Sequence, residues 1–259
     1  MDQGFKPKNI MGLKYAPFKL GGYCMLNINS IASGSSGNFY IVEDGDEKLL
    51  IECGISIAKI KQSLEFKLTD AIGCLVTHSH LDHSKESENL FSTGVDVYMS
   101  KGTADKLNLK SHRLKIIKAH KQFNINDWSI LPFDVHHDDP EPLNFLIQKG
   151  NEKLVYLTDT FYCKYKFNNL TRIMIECNYS KKILDENIAA GRVPMVQKNR
   201  LLKSHFSLKN VKDFLNANDL SKVNEIWLLH LSDRNSNAEQ FKKEIQKLTG
   251  KMVRIAGGG

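Results

Sequence analysis

No stretch of this sequence approaches the roughly 18 consecutive apolar residues of a membrane-crossing helix. Its first residues, MDQGFKPKNIMGLKYAPFKLGGY, lack the apolar segment of a secretory signal. A membrane partner is therefore not expected, and a cytoplasmic location is. None of the five cysteines (Cys24, Cys53, Cys74, Cys163 and Cys177) stands in a C-x-x-C pair, and their number is odd. That counts against a disulfide framework and against a cysteine-ligated zinc site, and favours reduced, mostly buried thiols. Low-complexity and disorder signatures are also missing: at 41% hydrophobic and 25% charged residues the chain can build a sizeable core. Acidic charge is the scarcer sign, 29 residues against 36 Lys and Arg, for a net charge of +7. A basic surface favours phosphate-bearing partners, although scattered lysine produces the same excess without one.

What is present is a succession of short apolar runs separated by turn residues. MLNINSIA, NFYIVED and KLLIEC read as strands, with SGSSGN as the first tight connection. Residues 56–66 have helical spacing, with Ile57, Ile60 and Leu64 on one stripe. AIGCLVTH and VDVYMS are strand-like around a helix-like stretch. In the second half WSILPFDV, LNFLIQ, KLVYLTD, RIMIEC and VNEIWLLHLS read as strands, and KKILDENIAA, LKNVKDFLNA and AEQFKKEIQKLTG as helices, the last capped by Gly250. Strands with interspersed helices in both halves predict an α/β architecture, an αββα four-layer sandwich of two mixed sheets packed face to face with helices outside. No linker is visible. Residues 24–259 read as one domain behind an N-terminal extension, 1–23, which leaves a homodimer arm, a lid or no role open.

The nine histidines carry the chemistry. His78 and His80, two apart in THSHLDH, project the same way in extended backbone and can grip one ion. Asp82 and His83 follow a turn and point to a second position, in a site whose ions would stand about 3.5–4 Å apart. The loop follows the apolar run AIGCLV, which holds it at a sheet edge. Each ion wants four or five donors, and three further candidates end apolar strands: His137 in FDVHHDD, Asp159 in KLVYLTDT and His230 in IWLLHLS. A carboxylate such as Asp159 can bridge two cations, which a neutral imidazole cannot.

THSHLDH fits H-x-H-x-D-H, and with it the chain resembles the metallo-β-lactamase superfamily. IASGSSGNFYIVE, HDDPEPLNFLI, YLTDT, IECNYS, GRVPMVQKNRLLKSHFSLKN and LLHLSDRNS follow in the order of its YycJ/WalJ-like branch, over about residues 27–237. The resemblance implies that His78, His80 and His137 hold a first metal, that Asp82, His83 and His230 hold a second, and that Asp159 bridges them. His137 rather than His136 takes the role because it precedes Asp138. The resemblance places His205 near substrate, as a residue that holds a phosphate oxygen or protonates the leaving group. It places Ser35, Ser36 and Asn38 in a wall of the site, with Asn178 among the substrate contacts, and makes Asp82, Asp159 and His205 the catalytic residues. The chain departs from the branch pattern at Glu52, where aspartate is usual and supports the histidine loop. It departs again at Asn178, Tyr179 and Ser180 in place of N-H-D, and at Ser204–His205 in place of Gly-His.

The implied activity is two-metal phosphodiester hydrolysis, with zinc most expected and manganese also accepted, by attack of a metal-bridging hydroxide. Nucleic acid is the first expected substrate, cleaved by a nuclease of 5′–3′ exonuclease type on DNA or RNA. A cyclic nucleotide is the alternative, for which Phe39, Phe161, Tyr162 and Tyr179 are either a base clamp or core. Thioesters, lactones and lactams come last.

Overall fold

Apolar runs rich in valine, isoleucine and leucine fold as strands in this protein, as the packing preference of such side chains predicts. The computed structural model describes residues 8–9 and 25–257. Its principal strands make one sheet of six and one of seven, both mixed, as expected. The chain divides into two compact units: residues 15–134, 138–152 and 256–259 in the first, and 1–14, 135–137 and 153–255 in the second.

In the second unit β1 (Lys8–Asn9) pairs in parallel with a short strand at Tyr165–Lys166. The remainder of the expected extension, up to residue 23, lies outside the described residues. The first unit contains β2 (Asn27–Ala32), β3 (Phe39–Asp44), β4 (Glu47–Ile51), β5 (Ala71–Leu75), β6 (Val97–Ser100) and β7 (Leu114–Ile117), side by side in that order. Pairing is antiparallel from β2 to β4 and parallel from β4 to β7. The predicted helix forms as α1 (Ile57–Ser63), started by the Ser56 side chain accepting from the Lys59 N–H. Its Ile60, with Leu64 just beyond, is fully buried against Phe39, Leu50, Cys74 and Val97. Residues 101–127 carry no predicted element. They hold α4 (Lys101–Lys106), β7 and β8 (Phe123–Ile125), after α2 (Leu81–Ser84) and α3 (Ser87–Ser92). Antiparallel β8, β9 (Trp128–Asp134) and β10 (Leu143–Lys149) follow.

The second unit is built on four parallel strands, β11 (Glu152–Leu157), β13 (Arg172–Glu176), β14 (Glu225–Leu229) and β15 (Met252–Ile255), adjacent in that order. The pair at Tyr165–Lys166 is β12. The helices are α5 (Lys181–Ala189), α6 (Met195–Ser204), α7 (Leu208–Ala217) and α8 (Ala238–Thr249). In α8, Phe241 and Ile245 are the buried residues, each contributing about 2 kcal/mol by leaving water. Asn237 caps its start, and Gly250 ends it in the left-handed conformation that glycine adopts without strain, φ 67°. Cys53, Cys74, Cys163 and Cys177 form no disulfide and are buried, and burial pushes the Cys74 and Cys177 thiols up. No helix among the described residues is long and apolar enough to cross a membrane.

Candidate metal centre

Parallel pairing decides which residues meet. In the first unit Ile51 pairs with Leu75. Glu52 and the Thr77–His83 loop therefore leave the sheet at the same edge, and the Glu52 N–H donates to Leu75 O. Glu52 is fully buried and sits in the left-handed region, φ 63°. Its Oε1 accepts 2.7 Å from the Thr77 hydroxyl and lies 3.2 Å from His83 Nδ1, while Oε2 accepts from the Thr77 N–H.

These contacts fix proton positions. A carboxylate only accepts, so the single Thr77 hydroxyl proton points at Glu52. His78 Nδ1, 2.9 Å from that hydroxyl, must then donate to it, which leaves the lone pair on Nε2. His83 Nε2 faces the Asn38 amide nitrogen, which only donates, at 3.2 Å and therefore carries the lone pair; its Nδ1 faces Glu52 Oε1. Carboxylate-oriented imidazoles of this kind are the usual surroundings of metal ligands. His78 Nε2 faces His80 Nδ1 at 3.0 Å, and His83 Nε2 faces Asp82 Oδ2 at 3.4 Å. Two donors on one zinc ion stand about 3.3 Å apart, given bonds of about 2.0–2.1 Å.

The loop is clamped from behind. The Cys53 N–H donates to His83 O and the Asn38 N–H to Asp82 O, each at 2.7 Å. Gly54 lies so close that an added Cβ would stand 1.8 Å from Asp82 O, so no other residue fits there. Asn38 is fully buried, with its amide held by Gly34, Asp82 and the His83 ring. Asn38, expected in a wall of the site, thus holds the backbone of the Thr77–His83 loop. Ser35 and Ser36 are exposed. Asp139 accepts from the N–H and hydroxyl of Ser79, between the two histidines, and pairs with Lys106. Burial works against its charge, but the Lys106 ammonium and the Ser79 donors hold its carboxyl below the usual range.

In the second unit Asp159, Glu176 and His230 leave adjacent parallel strands at their carboxyl ends, where ligands of α/β sheets collect. Asp159 and His230 have φ of 46° and 51°, and residues in this region commonly store about 1–3 kcal/mol of strain at functional sites. Each of Asp159, Glu176, His205 and His230 offers a donor atom, and these atoms all lie within 4.8 Å of one another. Glu176 repeats the part of Glu52. Its Oε1 lies 3.0 Å from His230 Nδ1 and 2.6 Å from His205 Nδ1, and Oε2 accepts from the Phe206 N–H. His230 is thereby left with its lone pair on Nε2. His205 Nδ1 is also 3.1 Å from Asp159 Oδ1. Burial alone would lower the His205 pKa, but Glu176 and Asp159 push it up to about 11. Asn178, expected among the substrate contacts, is buried and donates 2.8 Å to His230 O. Of the two adjacent histidines, His136 turns to Phe161 (ring centroids 5.8 Å apart) and His137 to His205 (6.3 Å).

Glu176, Thr77 and Asp139 were not picked out by sequence. Only Glu176 offered a signal, a carboxylate closing an apolar run, in IMIE as in LLIE. The donor set, neutral imidazole nitrogens and carboxylate oxygens without thiolate, fits divalent ions such as zinc.

Fold and donors together define a metal-dependent hydrolase. The model of the beta-lactamase superfamily domain matches residues 47–180, more than half of the chain, and the protein belongs to that superfamily. It is similar to the exodeoxyribonuclease YycJ of Bacillus anthracis, with 28% identity over 86% of this chain and 89% of the relative. It is also similar to the exodeoxyribonuclease WalJ of Streptococcus pneumoniae serotype 2, with 29% identity over 81% and 82%. Among solved structures it resembles the metallo-beta-lactamase fold protein YhfI of Bacillus subtilis, with a TM-score of 0.69, 16% identity, and 90% of this chain and 96% of that one covered. The fold is the metallo-β-lactamase fold expected from H-x-H-x-D-H.

Proposed function

We propose that this protein is a two-metal nuclease that removes nucleotides from a DNA or RNA strand end in the cytoplasm. In this reading His78, His80 and His137 hold one ion, Asp82, His83 and His230 hold the other, and Asp159 bridges them. Two divalent cations, zinc or manganese, supply Lewis acidity and bring the pKa of coordinated water toward neutrality. The chain's own residues do the rest. Glu52 and Glu176 keep His78, His83 and His230 in the tautomers that present Nε2 lone pairs. His205, held by Glu176 and Asp159, contacts a phosphoryl oxygen and gives a proton to the leaving oxygen. Ser35 and Ser36 line the approach.

The observation that carries the reading is the matched pair of buried carboxylates, each orienting the histidines at the carboxyl ends of parallel strands. Similarity to the exodeoxyribonucleases YycJ and WalJ supports the substrate, and four buried, unbridged thiols support the compartment. A cyclic-nucleotide substrate loses support because Phe39 and Tyr179, two of the four clamp candidates, are buried in the core. The test is end-labelled single- and double-stranded DNA and RNA with purified protein and manganese or zinc. Metal-dependent stepwise release of nucleotides is expected; strands left intact under every metal would overturn the nuclease reading.

A further inference from the structure

We infer that a cavity of about 450 Å³ in the second unit, lined by Asn187, Arg192 and Arg234, is a subsite for a backbone phosphate of the nucleic-acid strand. The inference rests on the nuclease reading. Both arginines are exposed, and among the described residues neither pairs with a carboxylate; Asp185, on α5, pairs with Lys198. Two guanidinium groups at one concavity without a counter-ion repel each other, a cost that an anion removes. Guanidinium forks match phosphate oxygens bidentately.

The two arginines are also held in place before any ligand arrives. Asn187, only 6% exposed, is the clasp. Its Oδ1 accepts 2.8 Å from Arg192 Nε, and its Nδ2 donates to Arg234 O at 2.7 Å and to Asn235 Oδ1 at 3.0 Å. The Arg192 N–H returns to Asn187 O at 2.8 Å, and Arg234 Nη1 reaches Arg192 O. One buried amide thus ties the turn after α5 to the loop after β14 and holds the Arg192 guanidinium, whose backbone carbonyl in turn accepts from Arg234 Nη1.

Location gives the ligand its class. Arg234 lies four residues beyond His230, and its loop is tied beside Asn178 by Ser232 N–H to Asn178 O and Ser180 N–H to Asn235 O, each 2.9 Å. The cavity therefore belongs to the edge at which His230 leaves the sheet. It exceeds a bare phosphate and suits a phosphate with its sugar, as in a strand that continues past the site. Arginine–phosphate pairs of this kind position a strand without reading its bases.

The test is fluorescence anisotropy of a 5′-labelled single-stranded DNA with full-length protein in EDTA, over a range of KCl concentrations, with thermal melts as folding controls. The double variant R192Q/R234Q should bind at least ~10-fold more weakly at low salt, with the slope of log Kd against log salt reduced by about 0.7 for each phosphate no longer neutralised. R192K/R234K keeps the charge and should regain the slope with only part of the affinity. K59Q/K243Q removes two exposed charges elsewhere and should leave the slope unchanged. A wild-type slope and affinity in R192Q/R234Q, or an equal loss in K59Q/K243Q, overturns the subsite while the nuclease reading stands. Wild-type protein that binds no DNA at any salt concentration overturns both.

Discussion

Asp159→Ala is expected to reduce the ions bound per chain from two to one or none in a calorimetric titration with zinc. Hydrolysis of any phosphodiester should fall by about 10³-fold or more, since losing shared Lewis-acid stabilisation removes several kcal/mol from the barrier. Asp159 is 4% exposed and belongs to the group formed with Glu176, His205 and His230. It is the residue proposed to bind both ions, so its removal affects both. Its left-handed backbone, φ 46°, suits aspartate and asparagine better than alanine. Asp159→Asn separates the two effects: it keeps the backbone preference and the volume and removes the charge. The metal-free Asn variant should melt within a few degrees of wild type, because Asp159 and Glu176 are like charges in one buried group. Two ions retained in both variants would remove Asp159 from the ligand set.

Glu52→Ala carries the second large effect, on stability as well as metal affinity. The side chain accepts from the Thr77 N–H and the Thr77 hydroxyl, faces His83 Nδ1 at 3.2 Å, and is fully buried. Truncation leaves two buried donors without an acceptor and removes the carboxylate that faces His83, at a cost of about 3–5 kcal/mol, or roughly 10 °C of melting temperature for a chain of this size. Zinc affinity should drop about 10–100-fold, because His78 and His83 lose the partners that hold their tautomers. Glu52→Asp should recover more of both than Glu52→Gln: a shorter carboxylate still accepts from Thr77, whereas an amide turned the wrong way presents hydrogens to His83. Thermal melts and competitive zinc titration read the two effects separately. Glu52→Gln with full zinc affinity would show that the charge is not what orients the loop.

The sequence disclosed the part of the site that is local. THSHLDH needs only one loop to be interpretable, and His137, Asp159 and His230 stood out because each closes an apolar run. Glu176 closes one too, but a lone glutamate at a strand end reads as an ordinary turn residue. Only the order β14-β13-β11 sets it between His230 and Asp159, and strand order is not written in hydrophobic periodicity. Thr77 escaped for a related reason: its part is to pass a hydrogen bond from Glu52 to His78, which depends on the register of β4 with β5. Asn38 and Asn178 were noticed in loops beside the site and expected to touch substrate. Polar residues in glycine-rich loops suggest exposure, yet backbone close approach, at Gly54 against Asp82 above all, folds Asn38 underneath. Among the elements, β7 and β8 went unpredicted because LKII and FNI are too short to alternate, and α6 because MVQKNRLLKS mixes its apolar residues with charge. The helices with a clear apolar stripe and good caps, α7 and α8, stand where expected.

The most direct single measurement is hydrolysis of bis-p-nitrophenyl phosphate by purified wild-type protein as zinc or manganese is added in increments. Activity that is absent without metal and rises as the second equivalent binds is the result expected of a two-metal phosphodiesterase. A folded protein that takes up two ions and leaves the diester intact would contradict phosphodiester chemistry and direct attention to thioesters, lactones and lactams.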